Sequence, residues 1–246
     1  LLAEEFEIEH RGPARLALGL AAPDGGAAFV DRALTTAVHE DAASLTRTLV
    51  ASRGDDFYLA TSSLTTVTGD RLFNYALGEG DGTRLRRMTY FDESQLDEAV
   101  AELDRRYRLS CGIGDDHWVA RQWRVLTSPD ADLNDEVLAS DYQVFEHRAG
   151  QLGVIDRATV IEWVRATPPS TRWSIPVIHR LSDRGMVLEQ LETWTNDTGA
   201  TRALGVIEFG DGVTKRLDVY EPEDLDTAFA RYDEITGAIH QELTNG

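Results

Sequence analysis

The sequence is poor in the residues that would tie it to a disulfide or a membrane framework. Its 246 residues include one cysteine, Cys111, which excludes an internal disulfide and is typical of a protein in a reducing cytoplasm. No stretch approaches the ~18 apolar residues of a transmembrane helix, and no signal peptide opens the sequence. Because the sequence begins at Leu1 rather than at a methionine, we expect it to belong to a longer protein.

Basic residues are scarce too. The chain has 24 Lys and Arg against 43 Asp and Glu, a formal net charge of −19. Such a surface repels phosphates, so we expect neither nucleic acid nor an anionic membrane as a partner. The hydrophobic share of 42% and the charged share of 27% are typical of a globular chain with a real core.

Motifs for metals and nucleotides are also missing. One cysteine cannot form a zinc cluster, and no His-Glu-x-x-His pattern occurs. The glycine-rich segment Gly78–Gly82 lacks a following Lys-Ser or Lys-Thr pair, so it indicates a hairpin turn rather than a phosphate loop. No Gly-x-Ser-x-Gly motif is present. We therefore expect no metal and no cofactor.

What the sequence does contain is an internal repeat. Residues 91–104 and 220–233 share one apolar spacing at an offset of 129 residues. Four apolar positions of the earlier segment fall on four of the later one: Leu96, Ala99, Val100 and Leu103 on Leu225, Ala228, Phe229 and Tyr232. A repeat of this kind indicates two units of one fold.

Further landmarks recur in the same order. Gly80-Asp81-Gly82 recurs as Gly210-Asp211-Gly212, and Glu9-His10-Arg11 recurs as Glu146-His147-Arg148. We therefore predict two domains, residues 1–110 and 111–246, and expect 1–107 and 115–236 to superpose.

Each copy is predicted to end in an amphipathic helix, at 93–107 and at 222–236. Asp92 is predicted to cap the first and Pro222 to open the second. A polar set in the first helix is expected to face water: Glu98, Glu102, Arg105 and Arg106. The periodicity of the second copy further predicts helices at 115–127 and 158–166, with a short helical segment at 134–138 between them. It predicts strands at 142–148, 173–181, 186–195, 202–209 and 213–220. Pro176 predicts an edge or a bulge, and 196–199 predicts a turn.

This order of elements resembles the nuclear transport factor 2-like (NTF2-like) cone, specifically its SnoaL-like branch. The resemblance rests on residues 137–148 and 210–226 and covers the second copy and most of the first. It implies an α+β fold of two tandem NTF2-like cones, each a curved antiparallel sheet covered by helices, with a C-terminal helix after each. The closing-helix pattern at 221–233 is also similar to the C-termini of large actinobacterial regulator proteins.

The first copy has no segment equivalent to the opening helix of the second, whose apolar stripe includes Trp118 and Trp123. We expect its sheet to be covered by an upstream segment, by a neighbouring chain, or by its own insert at 29–50, where Ala33, Ala37 and Leu45 supply apolar side chains.

His147 is the first candidate for chemistry, as a general base. Neighbours on a strand point to opposite faces, so Glu146 and His147 cannot share a pocket. Since Glu9-His10-Arg11 repeats the trio, a structural role is the simpler interpretation.

Aromatic and polar residues give the other candidates. All five tryptophans, including Trp163, Trp173 and Trp194, lie in the second copy, which favours an apolar ligand site there. Strand alternation places Gln190 and Glu192 on an otherwise apolar face, and His179 on the face of Trp173. Core packing is the alternative for each of them. We expect the better-enclosed pocket near Trp173, His179, Glu192 and Trp194.

Three functions follow. The first is a non-catalytic module that binds a small apolar molecule or a partner, at the C-terminus of a larger regulator. The second is an isomerase or cyclase of the SnoaL type, although the catalytic acid and base pair of ketosteroid-isomerase-like members cannot be placed in this sequence. The third is a scaffold in which the cones form an intramolecular pseudo-dimer or the chain forms a homo-oligomer.

Overall fold

The chain combines long, mostly antiparallel strands with four helices in the part that the structure describes. The computed structural model describes residues 2–11, 42–66, 71–81, 83–126, 137–150, 153–167, 171–194 and 200–237. The chain separates into two compact units, unit 1 (Leu1–Tyr107) and unit 2 (Arg108–Gly246). The α+β class predicted from the sequence is confirmed, while the two-cone arrangement remains a prediction.

Unit 1 is built on five strands, which run in the chain order β1 (Leu2–Arg11), β2 (Ala42–Arg53), β3 (Phe57–Thr66), β4 (Arg71–Gly80) and β5 (Leu85–Asp92). Helix α1 (Leu96–Ser110) follows. Its strands lie in the order β1-β5-β4-β3-β2, with β1 parallel to β5 and the other pairs antiparallel. The insert predicted to cover this sheet spans 29–50, and its part from 29 to 41 lies outside the described residues. The rest belongs to β2 (Ala42–Arg53), a strand of the sheet itself.

Unit 2 begins with helix α2 (Trp118–Leu126). It continues through β6 (Leu138–Glu146), β7 (Val154–Asp156), helix α3 (Arg157–Ala166), β8 (Thr171–Leu181), β9 (Gly185–Trp194), β10 (Ala200–Gly210), β11 (Val213–Tyr220) and helix α4 (Leu225–Thr236). Its strands lie in the order β7-β6-β11-β10-β9-β8, with β6 parallel to β11. The other helices and strands predicted in this copy are confirmed to within a few residues. The helical segment predicted at 134–138 is not, since residues 134–136 lie outside the described residues and Leu138 begins β6. The predicted turn at 196–199 also lies outside the described residues.

The strand registers correct one part of the sequence alignment. Glu9 pairs with Thr89, whereas Phe145 pairs with Asp218, which stands 129 residues after Thr89. Glu9 and Phe145 therefore occupy equivalent positions in the two ladders. It follows that His147 is equivalent to Arg11, not to His10. Because a shift of one residue moves a side chain to the opposite face, the two Glu-His-Arg trios do not present the same residues to the same face.

The closing helices start later than predicted. α1 begins at Leu96, and Gln95 accepts its first helical hydrogen bond, from the N–H of Ala99. Pro222 lies in a turn before α4, whose N-cap is Asp224. The side chain of Gln95 accepts a hydrogen bond from the backbone N–H of Asp92 at 2.9 Å, but Asp92 lies four residues before Leu96, so the prediction that Asp92 caps this helix is wrong.

The apolar stripe of each closing helix packs on its own sheet. In α4 the buried residues are Ala228, Tyr232 and Ile235, which join a cluster on β9, β10 and β11: Val187, Leu204, Val206 and Tyr220. In α1, Ala99 and Leu103 are fully buried. The solvated face predicted for α1 is partly wrong, since Glu102 and Arg106 are 7% and 6% exposed and take part in ion pairs.

A second apolar cluster packs on β6 and β11, with α2 and α3 against it. Its buried members are Val137, Leu138, Tyr142, Val144, Ile155, Ala203 and Val219. Val125 of α2 and Ile161 of α3 pack against it. Val119 and Trp123 of α2 are buried, as the predicted stripe of the opening helix requires.

Candidate functional site

The three residues at the end of β6 point alternately to two faces, as the sequence predicted. Glu146 and Arg148 share one face and form a bidentate ion pair, with Nε to Oε1 at 2.7 Å and Nη2 to Oε2 at 2.8 Å. His147 points to the other face, where its Nε2 lies 2.8 Å from Oδ1 of Asp218. The trio therefore serves two separate clusters.

The His147 cluster lies between β11 and α4. Asp218 is fully buried, and its carboxylate also accepts hydrogen bonds from Arg216 and from Arg231 of α4, the latter at 3.2 Å. Burial raises the pKa of Asp218, but the hydrogen bonds from Arg216 and His147 outweigh it, so the net pKa is lowered. The His147 ring stacks on Tyr220 at 4.5 Å between centroids.

Unit 1 has an ionic cluster at the matching place, between β5 and α1. Arg106 of α1 donates to Thr89 of β5 at 3.0 Å and to Glu9 of β1 at 3.3 Å. Glu102 accepts from Arg106 at 2.8 Å and from Arg11 at 3.2 Å. Thr89 and Asp218 occupy equivalent positions on β5 and β11, and each binds an arginine of the closing helix. The His147 cluster therefore has a structural role, because it attaches α4 to its sheet.

The face of Arg148 carries the predicted candidate Glu192. Burial raises the pKa of Glu192 above its ordinary 4.5, and the positive charge of Arg148 acts in the opposite direction. No described residue forms a hydrogen bond or an ion pair with the Glu192 side chain. Glu192 pairs across the ladder with Trp173, which is 55% exposed. A half-buried carboxylate that no described residue hydrogen-bonds therefore lies beside an exposed aromatic ring.

His179 is not part of this pair, because β8 is irregular. Its register shifts between Ser174 and Val177, around Pro176, and again between Ile178 and Arg180. The expected regular alternation from Trp173 to Leu181 is therefore wrong, and the bulge predicted at Pro176 is confirmed. His179 contacts Phe229 of α4, with ring centroids 5.8 Å apart, and its Nε2 lies 3.3 Å from Glu189 rather than near Glu192.

The remaining predicted residues lie apart from one another. Gln190 is half-buried on β9 and pairs with Ala203. Trp163 is 46% exposed on α3, a helix with no fully buried residue. Trp194 ends β9, and its side chain lies outside the described ones. Of the predicted set, the structure brings together Trp173 and Glu192.

An open depression of about 520 Å³ lies elsewhere in unit 2. It is lined by the start of β6 and by the β10–β11 hairpin: Leu138, Ala139, Ser140, Asp141, Asp211, Val213 and Lys215. Lys215 is already paired with Asp211 at 2.6 Å. None of the candidate residues lines this depression, and its exposed ion pair gives no catalytic arrangement.

Among the described residues, no group of three or more His, Cys, Asp or Glu side chains is arranged to hold a metal ion. Over the same part of the chain, none of the helices has both the length and the hydropathy that crossing a bilayer requires.

Two residues that matter here were missed in the sequence. Asp218 alternates with Arg216 and Tyr220 along β11. The charged residues Arg216 and Asp218 in the strand before the closing helix could have indicated an ion-pair cluster there. Arg148 appeared only as a member of the repeated trio, because its approach to Glu192 depends on side chains from separate strands.

The chain has only low similarity to the known proteins that it matches. No family model and no curated protein matches the chain. Among solved structures, it is similar to one named as a SnoaL-like polyketide cyclase from Mesorhizobium loti, with 12% identity and a TM-score of 0.33 over 42% of this chain and 95% of that one. It is also similar to a de novo designed protein with a curved β-sheet, with 14% identity and a TM-score of 0.31 over 47% of this chain and 92% of that one. At these scores we base no function on either likeness.

Proposed function

We propose that unit 2 binds a small, flat aromatic molecule through Trp173 and Glu192, without catalysing its conversion. The observation that carries the proposal is the state of Glu192: it is partly buried, it has no hydrogen-bond partner among the described residues, and it adjoins an exposed tryptophan. A carboxylate desolvated in this way favours a ligand that donates a hydrogen bond to it.

The surrounding charges indicate what kind of ligand fits. Arg148 is held by Glu146, and the negative charges of Glu221 and Glu192 also act on it. One cation therefore stands among three carboxylates, which disfavours an anionic ligand. The face of Trp173 attracts a cation or a flat ring. We therefore expect an aromatic amine or alcohol to bind, and an aromatic carboxylate to bind less well.

The fold-level part of the proposal is that the two units are tandem NTF2-like domains. Support comes from the matching strand orders, each with its first strand parallel to its last, and from the ionic cluster under each closing helix. A place in a larger regulator belongs to the same proposal and rests on the closing-helix pattern at 221–233.

The charge preference is tested with three probes of one shape: benzylammonium, benzyl alcohol and benzoate. Their dissociation constants are measured by NMR titration of the parent chain and of Glu192→Gln. We expect benzylammonium to bind best, benzoate worst, and Glu192→Gln to remove the difference between benzylammonium and benzyl alcohol. Glu162→Gln, an exposed position on α3, is the matched control. Equal binding of all three probes to the parent would contradict the proposal.

The raised pKa of Glu192 favours a second function, acid–base catalysis of the SnoaL type. In that case Glu192 would take a proton from the carbon next to a carbonyl, leaving an enolate, and would return a proton to the same carbon. Incubation with cyclohexanone in D₂O would then exchange α-hydrogen for deuterium faster with the parent than with Glu192→Gln. No difference between the two would leave binding as the function.

A further inference from the structure

Helix α3 exposes apolar side chains on the surface of unit 2. Trp163 is 46% exposed and Val164 is 38% exposed, and no residue of the helix is buried. Val160 and Ile161 pack against the apolar cluster of β6 and β11, yet both are only half-buried. Tryptophan is enriched at protein interfaces, and a tryptophan with about half of its surface in water indicates a place where a partner can bind.

The same surface carries two side chains of opposite charge. Glu162 directly precedes Trp163, and Arg165 directly follows Val164. Both charged side chains are exposed, and no described residue forms an ion pair with either of them. Their charges are therefore available to a partner that brings the opposite charges to the same positions.

The order Glu162-Trp163-Val164-Arg165 is self-complementary when two copies of the helix lie antiparallel. A twofold axis between Trp163 and Val164 brings each Glu162 level with Arg165 of the second copy, so that two ion pairs form. Residues three apart lie on the same side of a helix, so both ion pairs can form along one edge of the contact. The tryptophan of each copy is then level with the valine of the other.

The charge of α3 favours this helix as the place where two copies meet. The chain has a net charge of −19, so most of its surface repels a second copy. Within α3, however, Arg157 and Arg165 stand against the single carboxylate of Glu162. Two copies can therefore approach one another through α3 without bringing uncompensated carboxylates together.

We infer that α3 is a self-association surface, through which two copies of the chain form an antiparallel helix pair centred between Trp163 and Val164. The helix is short, about 15 Å long, and the area that it can bury lies below the roughly 800 Å² per partner of a stable interface. The dimer is therefore weak, with a dissociation constant of roughly 0.1–1 mM. The surface does not include Trp173 or Glu192, so the ligand-binding proposal and this one can fail separately.

Self-association is tested by sedimentation equilibrium of the full chain between roughly 20 µM and 1 mM, a range that brackets the expected dissociation constant. We expect the parent to shift from monomer towards dimer as its concentration rises, and Trp163→Ala to stay monomeric. Trp173→Ala is the matched control, because it removes a tryptophan of similar exposure, 55%, from β8 and should leave association unchanged. Circular dichroism of each variant checks that it is folded like the parent.

Charge reversal tests the antiparallel pairing itself. Glu162→Arg and Arg165→Glu each replace two ion pairs by two like-charge contacts, and each should weaken association roughly tenfold. The first change lowers the net negative charge of the chain and the second raises it, so a general charge effect would act on them in opposite directions. An equimolar mixture of the two variants should associate like the parent, because opposite charges face each other again. The double variant should do so for the same reason.

Three results would overturn the inference. One is a parent that is still monomeric at about 1 mM. Another is association that Trp163→Ala leaves unchanged, since the copies would then meet elsewhere. The third is a mixture and a double variant that associate no better than the single variants, because the antiparallel pairing requires both to recover.

Discussion

Nε2 of His147 lies 2.8 Å from Oδ1 of Asp218, a carboxylate with no exposed surface. The pair looks like a catalytic dyad, but Asp218 also holds Arg216 and the Arg231 side chain of α4. A buried carboxylate that pairs with two guanidinium groups, one of them on α4, has the structural role of attaching that helix to the sheet. We call Asp218 and its partners the anchor of α4, and His147 at the end of β6 is one of these partners.

Replacing this anchor should destabilise the chain strongly. Asp218→Ala leaves two arginines and a histidine without their buried anion, and breaking a buried ion pair costs about 3–5 kcal/mol. Urea denaturation measures the loss. Asp226→Ala, an exposed position on α4, should change the free energy of unfolding by less than about 0.5 kcal/mol. Similar stabilities for the two variants would contradict the anchor role.

The ionic cluster of unit 1 should make stability depend on acid pH. Burial raises the pKa of Glu102, but hydrogen bonds from Arg105 and Arg106 outweigh it and hold the pKa at about 2, below the ordinary 4.5. A depressed carboxyl pKa stabilises the fold above the unfolded value and loses that effect as pH falls towards the folded one.

The parent should therefore be more stable than Glu102→Gln at pH 7, and the difference should shrink between pH 4.5 and about 2. Thermal melts across this range measure it. Glu93→Gln, an exposed position before α1, is the control and should show no such trend. A difference that stays constant with pH would mean that Glu102 contributes through packing alone.

The opening helix of unit 2 should depend on one buried amide. Gln122 of α2 is fully buried, and its Nε2 donates to the backbone oxygen of Gly212 at 3.0 Å. Gln122→Leu keeps the volume but leaves that carbonyl without its donor, a loss of about 1–3 kcal/mol. Arg121→Gln, the exposed neighbour, should have no effect. Chemical denaturation followed by tryptophan fluorescence measures the unfolding of unit 2, since all five tryptophans lie there.

Binding of an amine at Glu192 should weaken in acid. Burial raises the pKa of Glu192 above 4.5, so the carboxylate that attracts a cation is lost at a higher pH than for an ordinary glutamate. The affinity for benzylammonium should fall as pH decreases through that raised pKa, because the amine stays charged throughout. NMR titrations at pH 7 and at lower pH check this. An affinity unchanged down to pH 4 would contradict it.

Helix α4 could be predicted from the sequence, whereas the irregular strand β8 could not. The apolar spacing of Ala228 and Tyr232 was enough to place a helix and its buried face, because helical periodicity is local. The irregularity of β8 was visible only as Pro176, and its second register shift had no local signal. Two shifts in one strand separate His179 from Trp173, which alternation alone could not predict.

Charged residues were the other difficulty. Glu102 and Arg106 have the spacing of a solvated helix face, yet both are buried. Arg106 donates to Glu9 of β1 and Thr89 of β5, and Glu102 accepts from Arg11 of β1, all far away in the sequence. Long-range ion pairs of this kind become visible only once the strands are in register.

The most direct test of the binding proposal is the indole N–H signal of Trp173 during titration with benzylammonium, assigned by comparison with Trp173→Phe. We expect a saturable shift of this signal in the parent, a loss of affinity of roughly tenfold in Glu192→Gln, and no loss in His179→Ala. A Trp173 signal that does not move, or the same affinity in Glu192→Gln as in the parent, would contradict it.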